Sequence, residues 1–488
     1  MRYYKILKLL NSLEKGEFSK FRSFSSSVYY CRSRDYSGIL NAVDYFKRNG
    51  IKPNNYSVRD FYSLAYPGKN YNNKTLRNRL NELTKIFEKY IIAKELEGNY
   101  HLNKLLLLKG LNGKKLAKIF EQEYKKVKMP KDTEDKSQLV SELKMQNVYY
   151  HREQRNFNRM FEELNRQIDY TLINFLEVFF LGAVEYEIEK TYNINPTVNL
   201  LFDIMVNLKT DKLIKILEMR NSNSYLITIL NYYLYKSISE RINTEWFSKF
   251  RNILFKNLEK LTDPVKDRYF GYMITYYFLM INSGYSEYLK DVFRLYKLKL
   301  RLGLFSELRE IRYPSSAFRD YVVVGIRLKK FKWVEEFIRK YSNEVPEEIR
   351  EEEICLAYSR LYFTKRQFEQ AIDLLNKMKS SNYLYILDAS RTKLRIFYEI
   401  SEFEEAFLEI DRIKHYMKNN PGKVARPVRN YTKEFLDRYH TLLKLRLSPD
   451  KNELKYFAPQ ISESRTLVSK EWFMEKVKEM QQFSKRPV

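Results

Sequence analysis

The sequence has few of the residues that break helices or cross-link a chain. Its 488 residues include only 13 glycines, 12 prolines and two cysteines, Cys31 and Cys355. So few turn-forming residues disfavour a β-sandwich or barrel, because such folds need a turn after every short strand. The two cysteines fit no metal-binding or redox spacing, and they indicate a reducing compartment without a disulfide framework.

Long apolar runs are also lacking. The most apolar stretch, Thr171 to Val184, contains Glu177 and is shorter than the roughly 20 residues that cross a bilayer. The first ten residues interleave charged and apolar side chains, which is not the pattern of a signal peptide. We therefore expect a cytoplasmic protein without a membrane span, in which Thr171 to Val184 forms a buried helix.

Signatures of catalysis and of cofactor binding are equally scarce. No phosphate-binding loop, Gly-x-Gly-x-x-Gly motif or Gly-x-Ser-x-Gly motif occurs. The histidines, His101, His151, His415 and His440, are isolated and fit no zinc pattern. We therefore expect a non-catalytic protein that has neither a cofactor nor a metal site. An enzyme whose site is assembled from distant helices is the alternative, and a deep pocket with perturbed titratable groups would indicate it.

Positive charge is plentiful and concentrated near the N-terminus. The formal net charge is +27, and residues 1–128 contain 27 basic and 11 acidic residues. A concentrated basic field steers polyanions such as nucleic acid, anionic lipid or an acidic protein toward a surface. A lysine-rich surface with no specific partner is the other interpretation of the same charge.

The spacing of apolar residues predicts an all-α protein. Helix-length segments of roughly 12–30 residues alternate with short polar breaks, a rhythm typical of antiparallel helical hairpins. The breaks divide the chain into a basic N-terminal helical domain, a basic connecting segment, degenerate hairpins, a repeat region and C-terminal helices. Their predicted bounds are 1–100, 101–130, 131–320, 321–420 and 421–488.

One helix of the N-terminal domain carries candidate polyanion contacts. It is predicted from Lys74 to about Leu96, with Asn72 or Asn73 as its N-cap. It follows a short helix and a turn, as a recognition helix does in a helix-turn-helix domain. Plain packing within the domain explains the same pattern. The candidate phosphate contacts are Lys74, Arg77, Arg79 and Lys85.

An internal repeat is the strongest specific signal. Trp333, Phe368 and Phe403 are 35 residues apart, and each opens a similar short phrase. Ala371 and Ala406 are the small residues within two of these phrases. The pattern resembles the tetratricopeptide repeat, in which two antiparallel helices recur about every 34 residues. The whole chain also resembles a set of uncharacterised bacterial helical proteins, which implies an architecture and no activity.

The tetratricopeptide resemblance implies stacked hairpins that form an α-solenoid, in which the first helix of each hairpin lines a concave surface. The residues it places on that surface are Arg360, Thr364, Arg391, Arg395 and Glu399. Three arginines on one face suit an acidic peptide or a terminal carboxylate, because a guanidinium binds carboxylates in a two-pronged geometry. A solvated face neutralised by nearby acids, such as the glutamate run 344–353, is the alternative.

These patterns predict a protein-interaction scaffold or adaptor that binds a protein or peptide partner through a helical-repeat surface. The alternative is a nucleic-acid-associated protein, with a regulatory role for the repeats, whose N-terminal domain binds phosphates. Steep salt dependence would distinguish phosphate binding from peptide binding. The sequence makes no prediction of the oligomeric state.

Overall fold

A computed structural model of the protein confirms the all-α prediction. It describes residues 5–27, 29, 34–51, 55–131, 134, 136–192, 200–220, 222–304, 316–380, 382–464 and 467–483, and no strand occurs among them. Cys31 lies outside these residues. The chain divides into two compact units, Met1–Thr262 and Asp263–Val488. The five predicted regions divide the chain more finely, and their bounds stay predictions.

The described helices of unit 1 are numbered in chain order. They are α1 Lys5–Ser12, α2 Lys15–Ser25, α3 Ser37–Arg48, α4 Val58–Ala65, α5 Asn73–Gly98, α6 Tyr100–Gly113, α7 Ala117–Lys125, α8 Ser137–Glu153, α9 Phe157–Tyr192, α10 Leu200–Asn207, α11 Thr210–Arg220, α12 Leu226–Ser239 and α13 Thr244–Lys256.

The numbering continues through unit 2. Its described helices are α14 Asp263–Asn282, α15 Tyr288–Arg301, α16 Ser316–Arg327, α17 Phe331–Tyr341, α18 Glu347–Thr364, α19 Phe368–Lys377, α20 Tyr383–Glu399, α21 Phe403–Asn419, α22 Arg426–Leu447, α23 Lys451–Glu463 and α24 Lys470–Phe483.

Helices α1 to α5 share one hydrophobic core. Side-chain caps fix the N-termini of α4 and α5. The Ser57 hydroxyl accepts from the Asp60 N–H at the start of α4, and the Asn72 side chain accepts from the Thr75 N–H at the start of α5. Asn72 is therefore the N-cap of α5, one of the two residues that the sequence offered. Seven residues separate α4 from α5, whereas a helix-turn-helix motif has a turn of about three or four.

The long helix α9 packs on α8, α10 and α12. Phe179, Phe180 and Val184 are fully buried there, but Leu172 is 55% exposed and Val178 is 64% exposed. The prediction that Thr171 to Val184 is a buried helix therefore holds only in part: seven of its 14 residues are buried, and Thr171, Leu172, Phe175 and Val178 are exposed. Within the described residues, α9 is also the one helix whose length and composition would allow it to cross a membrane.

Three helical hairpins of unit 2 share one turn geometry. Lys329, Arg366 and Ser401 each follow a helix in the left-handed conformation, with φ of 55°, 59° and 62°. In each turn the next residue donates its N–H to a carbonyl five residues back, always at 2.9 Å. The following helix begins two residues after the left-handed residue, so the hairpins α16–α17, α18–α19 and α20–α21 are built alike.

This geometry corrects the repeat register at its first unit. The residue equivalent to Phe368 and Phe403 is Phe331, which begins α17, and not Trp333. The left-handed residues are 37 and 35 positions apart rather than a uniform 35. The connections after α17 and α19 have the same length, five residues, so the two additional residues lie in α17 and α18, which are each one residue longer than α19 and α20. Helix α16 packs on α18, and α18 packs on α20.

Candidate functional site

Unit 2 contains a groove that brings all five residues of the predicted concave surface together. It encloses about 610 Å³, and its lining includes Arg360, Thr364, Arg391, Arg395 and Glu399. Helices α16, α18 and α20 supply most of this lining, as expected if the first helix of each hairpin faces one side. We call this cavity the unit 2 groove.

One wall of the unit 2 groove was missed from the sequence. Val468, Ser469, Glu471, Trp472 and Glu475 also line it, and all of them lie in or just before the C-terminal helix α24. These residues lie outside the repeat region, so the repeat pattern could not place them. The half-buried Phe363 and the buried Trp472 add aromatic surface to a lining that is otherwise largely charged.

Two of the three predicted groove arginines are neutralised by one acid. The Asp388 carboxylate accepts a 3.0 Å hydrogen bond from Arg360 and another from Arg391. Arg319 of α16 donates to the same carboxylate at 3.2 Å. Burial alone would raise the pKa of Asp388, but the charges of Arg360, Arg391 and Arg319 outweigh it and hold that pKa below its usual value.

A second acid holds Arg319 from the other side. Arg319 Nε lies 2.8 Å from both carboxylate oxygens of Glu353, whose side chain is fully buried. The Tyr385 hydroxyl donates to the same carboxylate at 2.7 Å, and the Arg319 guanidinium stacks over the Tyr385 ring at 4.6 Å. The two acids and three arginines thus form one network that ties α16, α18 and α20 together.

Arg395 differs from its two neighbours. No carboxylate of the described residues forms an ion pair with it, and its Nε is buried without a hydrogen-bond partner. Its Nη2 donates to the Thr392 hydroxyl at 3.2 Å, and its guanidinium stacks 4.8 Å from the centre of the Phe363 ring. Burial and the adjacent charge of Arg360 lower the pKa of Arg395 to about 10. The groove therefore contains one largely desolvated cation with which no carboxylate of the described residues pairs directly, and Asp388 and Glu399 attract it only from beyond ion-pair distance.

The other two predicted groove residues, Glu399 and Thr364, form hydrogen bonds within the protein. The Glu399 carboxylate accepts from the Trp472 indole at 2.7 Å and from Lys476 at 3.0 Å. The side chain of Lys476 is only 2% exposed, so this pair attaches α24 to α20. The Thr364 hydroxyl donates to the Arg360 carbonyl at 2.9 Å within its own helix. Glu399 and Thr364 thus shape the groove, and Arg395 supplies a positive charge that no described carboxylate pairs with directly.

The candidate polyanion contacts of α5 do not all lie together. Lys74, Arg77 and Lys85 are exposed, and at 100° per residue they fall on one face of the helix. Arg79 lies on a different face and pairs with Glu82 at 3.3 Å. Glu82 is also held by Arg34, so Arg79 belongs to an ion-pair cluster within the domain.

Metal ligands do not converge in the part of the chain that the structure describes, where no group of three or more His, Cys, Asp or Glu side chains could hold a metal ion. Comparison with protein-family models, with curated proteins and with solved structures finds no match to this chain. The resemblance to tetratricopeptide repeats therefore rests on the residues themselves.

Proposed function

We propose that this protein is a non-catalytic interaction scaffold whose unit 2 groove binds an acidic segment of a protein partner. The observation that carries the proposal is Arg395, a groove-lining guanidinium with a buried Nε that forms no ion pair with a carboxylate of the described residues. Leaving such a cation unpaired costs stability, and an anion supplied by a partner would recover that cost on binding.

The lining of the groove adds two further arguments. Phe363 and Trp472 provide apolar surface beside Arg395, so a bound segment would gain from burial as well as from charge. Lys329 and Arg366, the left-handed residues of two turns, also line the groove and have exposed side chains. They would attract an acidic segment toward the groove before it reaches Arg395.

The proposal includes the architecture. The packing of α16 on α18 and of α18 on α20, together with the recurrence of similar hairpins about every 35 residues, supports a tetratricopeptide-like solenoid in this part of unit 2. Helical-repeat proteins of this kind use the concave side of the stack for binding. We further propose that the protein acts in the cytoplasm, as its low cysteine content indicates.

A binding assay with peptide pools tests the function. Fluorescent dodecapeptides of random sequence, in one pool enriched in Asp and Glu and in another enriched in Lys and Arg, would be titrated with the full chain. We expect binding of the acidic pool, its loss in Arg395→Met, and its retention in Arg426→Met. Arg426 is a matched control, because it is exposed at the start of α22 and does not line the groove. Equal binding of both pools, or equal loss in both variants, would refute the proposal.

A second candidate function is association with nucleic acid through α5. Lys74, Arg77 and Lys85 share one exposed face, and no ion pair with a described residue engages them. Each lysine or arginine that contacts a phosphate adds about 0.9 to the slope of log affinity against log salt for duplex DNA. The test is the salt dependence of binding to a random DNA duplex. The triple variant Lys74→Gln, Arg77→Gln, Lys85→Gln should lower the slope by about 2.7 if all three bind phosphates.

A further inference from the structure

The unit 2 groove has two walls that differ in charge. The repeat wall, as we call it, consists of the lining residues within 323–399, and the α24 wall consists of the lining residues within 468–475. The repeat wall carries six basic and two acidic residues, whereas the charged residues of the α24 wall are both glutamates. A segment bound between the two walls therefore meets a basic surface on one side and an acidic surface on the other.

Three basic side chains of the repeat wall form no ion pair with a carboxylate of the described residues. The acids of this wall are engaged elsewhere, because Asp388 pairs with Arg360 and Arg391, and Glu399 pairs with the buried Lys476 at 2.9 Å. The basic residues that remain are Lys329, Arg366 and Arg395. The repeat wall can therefore receive acidic side chains of a ligand.

The α24 wall presents two exposed carboxylates. The side chains of Glu471 and Glu475 are 76% and 58% exposed, and their spacing of four residues places them one turn apart on the same face of α24. Glu471 contacts Arg327 at the edge of the repeat wall. Glu475 lies 3.6 Å from Lys476, which two other carboxylates hold more closely at 2.9 Å. The α24 wall can therefore receive basic side chains.

The size of the unit 2 groove favours an extended segment over a helix. One turn of a helix, with a pitch of 5.4 Å and a diameter of about 10–12 Å, fills roughly 420–610 Å³, so a groove of about 610 Å³ encloses one turn. An isolated helix needs about 12–15 residues to be even marginally stable. In an extended segment, successive side chains point to opposite sides. Every second side chain would therefore face the repeat wall, and the side chains between them would face the α24 wall.

We propose that the unit 2 groove selects an extended segment in which acidic and basic side chains alternate. The acidic side chains face Lys329, Arg366 and Arg395, and the basic side chains face Glu471 and Glu475. A uniformly acidic segment is disfavoured, because it sets like charges against the α24 wall. This inference rests on the proposed function and narrows its ligand from an acidic segment to one whose charges are sorted between its two sides.

Two peptides of identical composition and net charge test the selection. In one fluorescent dodecapeptide Glu and Lys alternate singly, which sorts the charges in an extended chain. In the other, Glu and Lys alternate in pairs, which places both charges on each side. We expect the full chain to bind the first peptide about three- to tenfold more tightly, as two exposed ion pairs would give.

The double variant Glu471→Gln, Glu475→Gln should abolish this preference. The matched control is Glu404→Gln, Glu405→Gln, because these two glutamates are exposed in the first turn of α21 and do not line the groove. It should retain the full preference. Glu475→Gln alone leaves the contact of Glu471 with Arg327 intact and should reduce the preference to about two- to threefold. Circular dichroism checks that each variant is folded.

The outcomes separate this inference from the proposed function. Equal affinity of the wild type for the two peptides, or a preference that survives the double variant, would overturn the inference. The proposed function would still stand if the acidic peptide pool binds and Arg395→Met abolishes that binding. If neither the two peptides nor the acidic pool bind, the proposed function fails and the inference fails with it.

Discussion

The guanidinium of Arg395 lies 4.8 Å from the centre of the Phe363 ring, with its Nε buried and without a hydrogen-bond partner. In the same groove, Arg360 and Arg391 share the carboxylate of Asp388. One groove thus contains two arginines that pair with an acid of the fold and one that pairs directly with no carboxylate of the described residues. This difference leads to opposite expectations for their replacement.

Arg395→Met should leave the free energy of unfolding unchanged or raise it by up to about 3 kcal/mol. Methionine fills a similar volume and removes a desolvated cation, and one unit of pKa shift corresponds to about 1.36 kcal/mol. Arg391→Met removes a donor from Asp388 and should lower the free energy of unfolding by about 1–3 kcal/mol. Urea unfolding of both variants, followed by circular dichroism, measures the difference. Marked destabilisation by Arg395→Met would show that Arg395 is a structural residue.

Glu353→Gln should destabilise the fold by about 3 kcal/mol. The change removes the buried charge that holds Arg319 and leaves that arginine with only part of its compensation. Asp411→Asn is the surface control, because Asp411 is 68% exposed and lies 4.0 Å from Lys414. It should change stability by less than about 0.5 kcal/mol. Similar urea midpoints for both variants would contradict a role of Glu353 in tying the helices together.

The lowered pKa of Asp388 predicts a specific pH dependence. A carboxylate whose pKa is lower in the folded than in the unfolded chain stabilises fully above its unfolded pKa of about 3.9. That stability is lost as the pH falls through the folded pKa. The difference in unfolding free energy between the wild type and Asp388→Asn should therefore be constant above about pH 5 and should shrink below about pH 4. A difference that stays constant into this acid range would show that the charge of Asp388 does not stabilise the fold.

Gly325→Ala tests the close approach of α16 and α17. A Cβ added at Gly325 would lie 2.5 Å from Val334 Cγ2 and 3.3 Å from the Trp333 ring. We expect destabilisation by about 1–3 kcal/mol from overpacking. In α6, Gly110 has nothing within 4 Å of its added Cβ, so Gly110→Ala should stabilise by about 0.5–1 kcal/mol. Thermal unfolding of the two variants should thus shift in opposite directions, and a shift in the same direction would refute this packing.

The all-helical fold could be predicted from the sequence, because helix formation depends on local spacing. Arg391 and Arg395 are one turn apart on α20, so any helix at this position places them together. Asp388 was missed as the acid that neutralises Arg360 and Arg391, although its spacing of three residues from Arg391 was a readable signal. The pairing of Glu399 with Lys476 joins residues 77 positions apart, and no local pattern indicates such a contact.

The register of the repeat shows a second limit of the sequence. Trp333 and Phe331 are both aromatic and lie two residues apart, so composition alone cannot decide which of them is equivalent to Phe368. The left-handed turn at Lys329 decides for Phe331, because the next helix begins two residues after that turn in all three hairpins. Backbone conformation fixes the register here, and a non-glycine residue gives little sign in sequence that it adopts a positive φ.

Site-specific photo-crosslinking in the native host tests the central claim most directly. A photo-reactive phenylalanine analogue at Thr364 would lie in the unit 2 groove, and the same analogue at Lys414 would lie on an exposed part of α21 away from it. If the groove binds a partner, position 364 should give a discrete protein adduct that position 414 does not give and that Arg395→Met abolishes. Identical adducts from both positions would contradict a binding function for the groove, and an adduct that survives Arg395→Met would contradict the role of Arg395 in that binding.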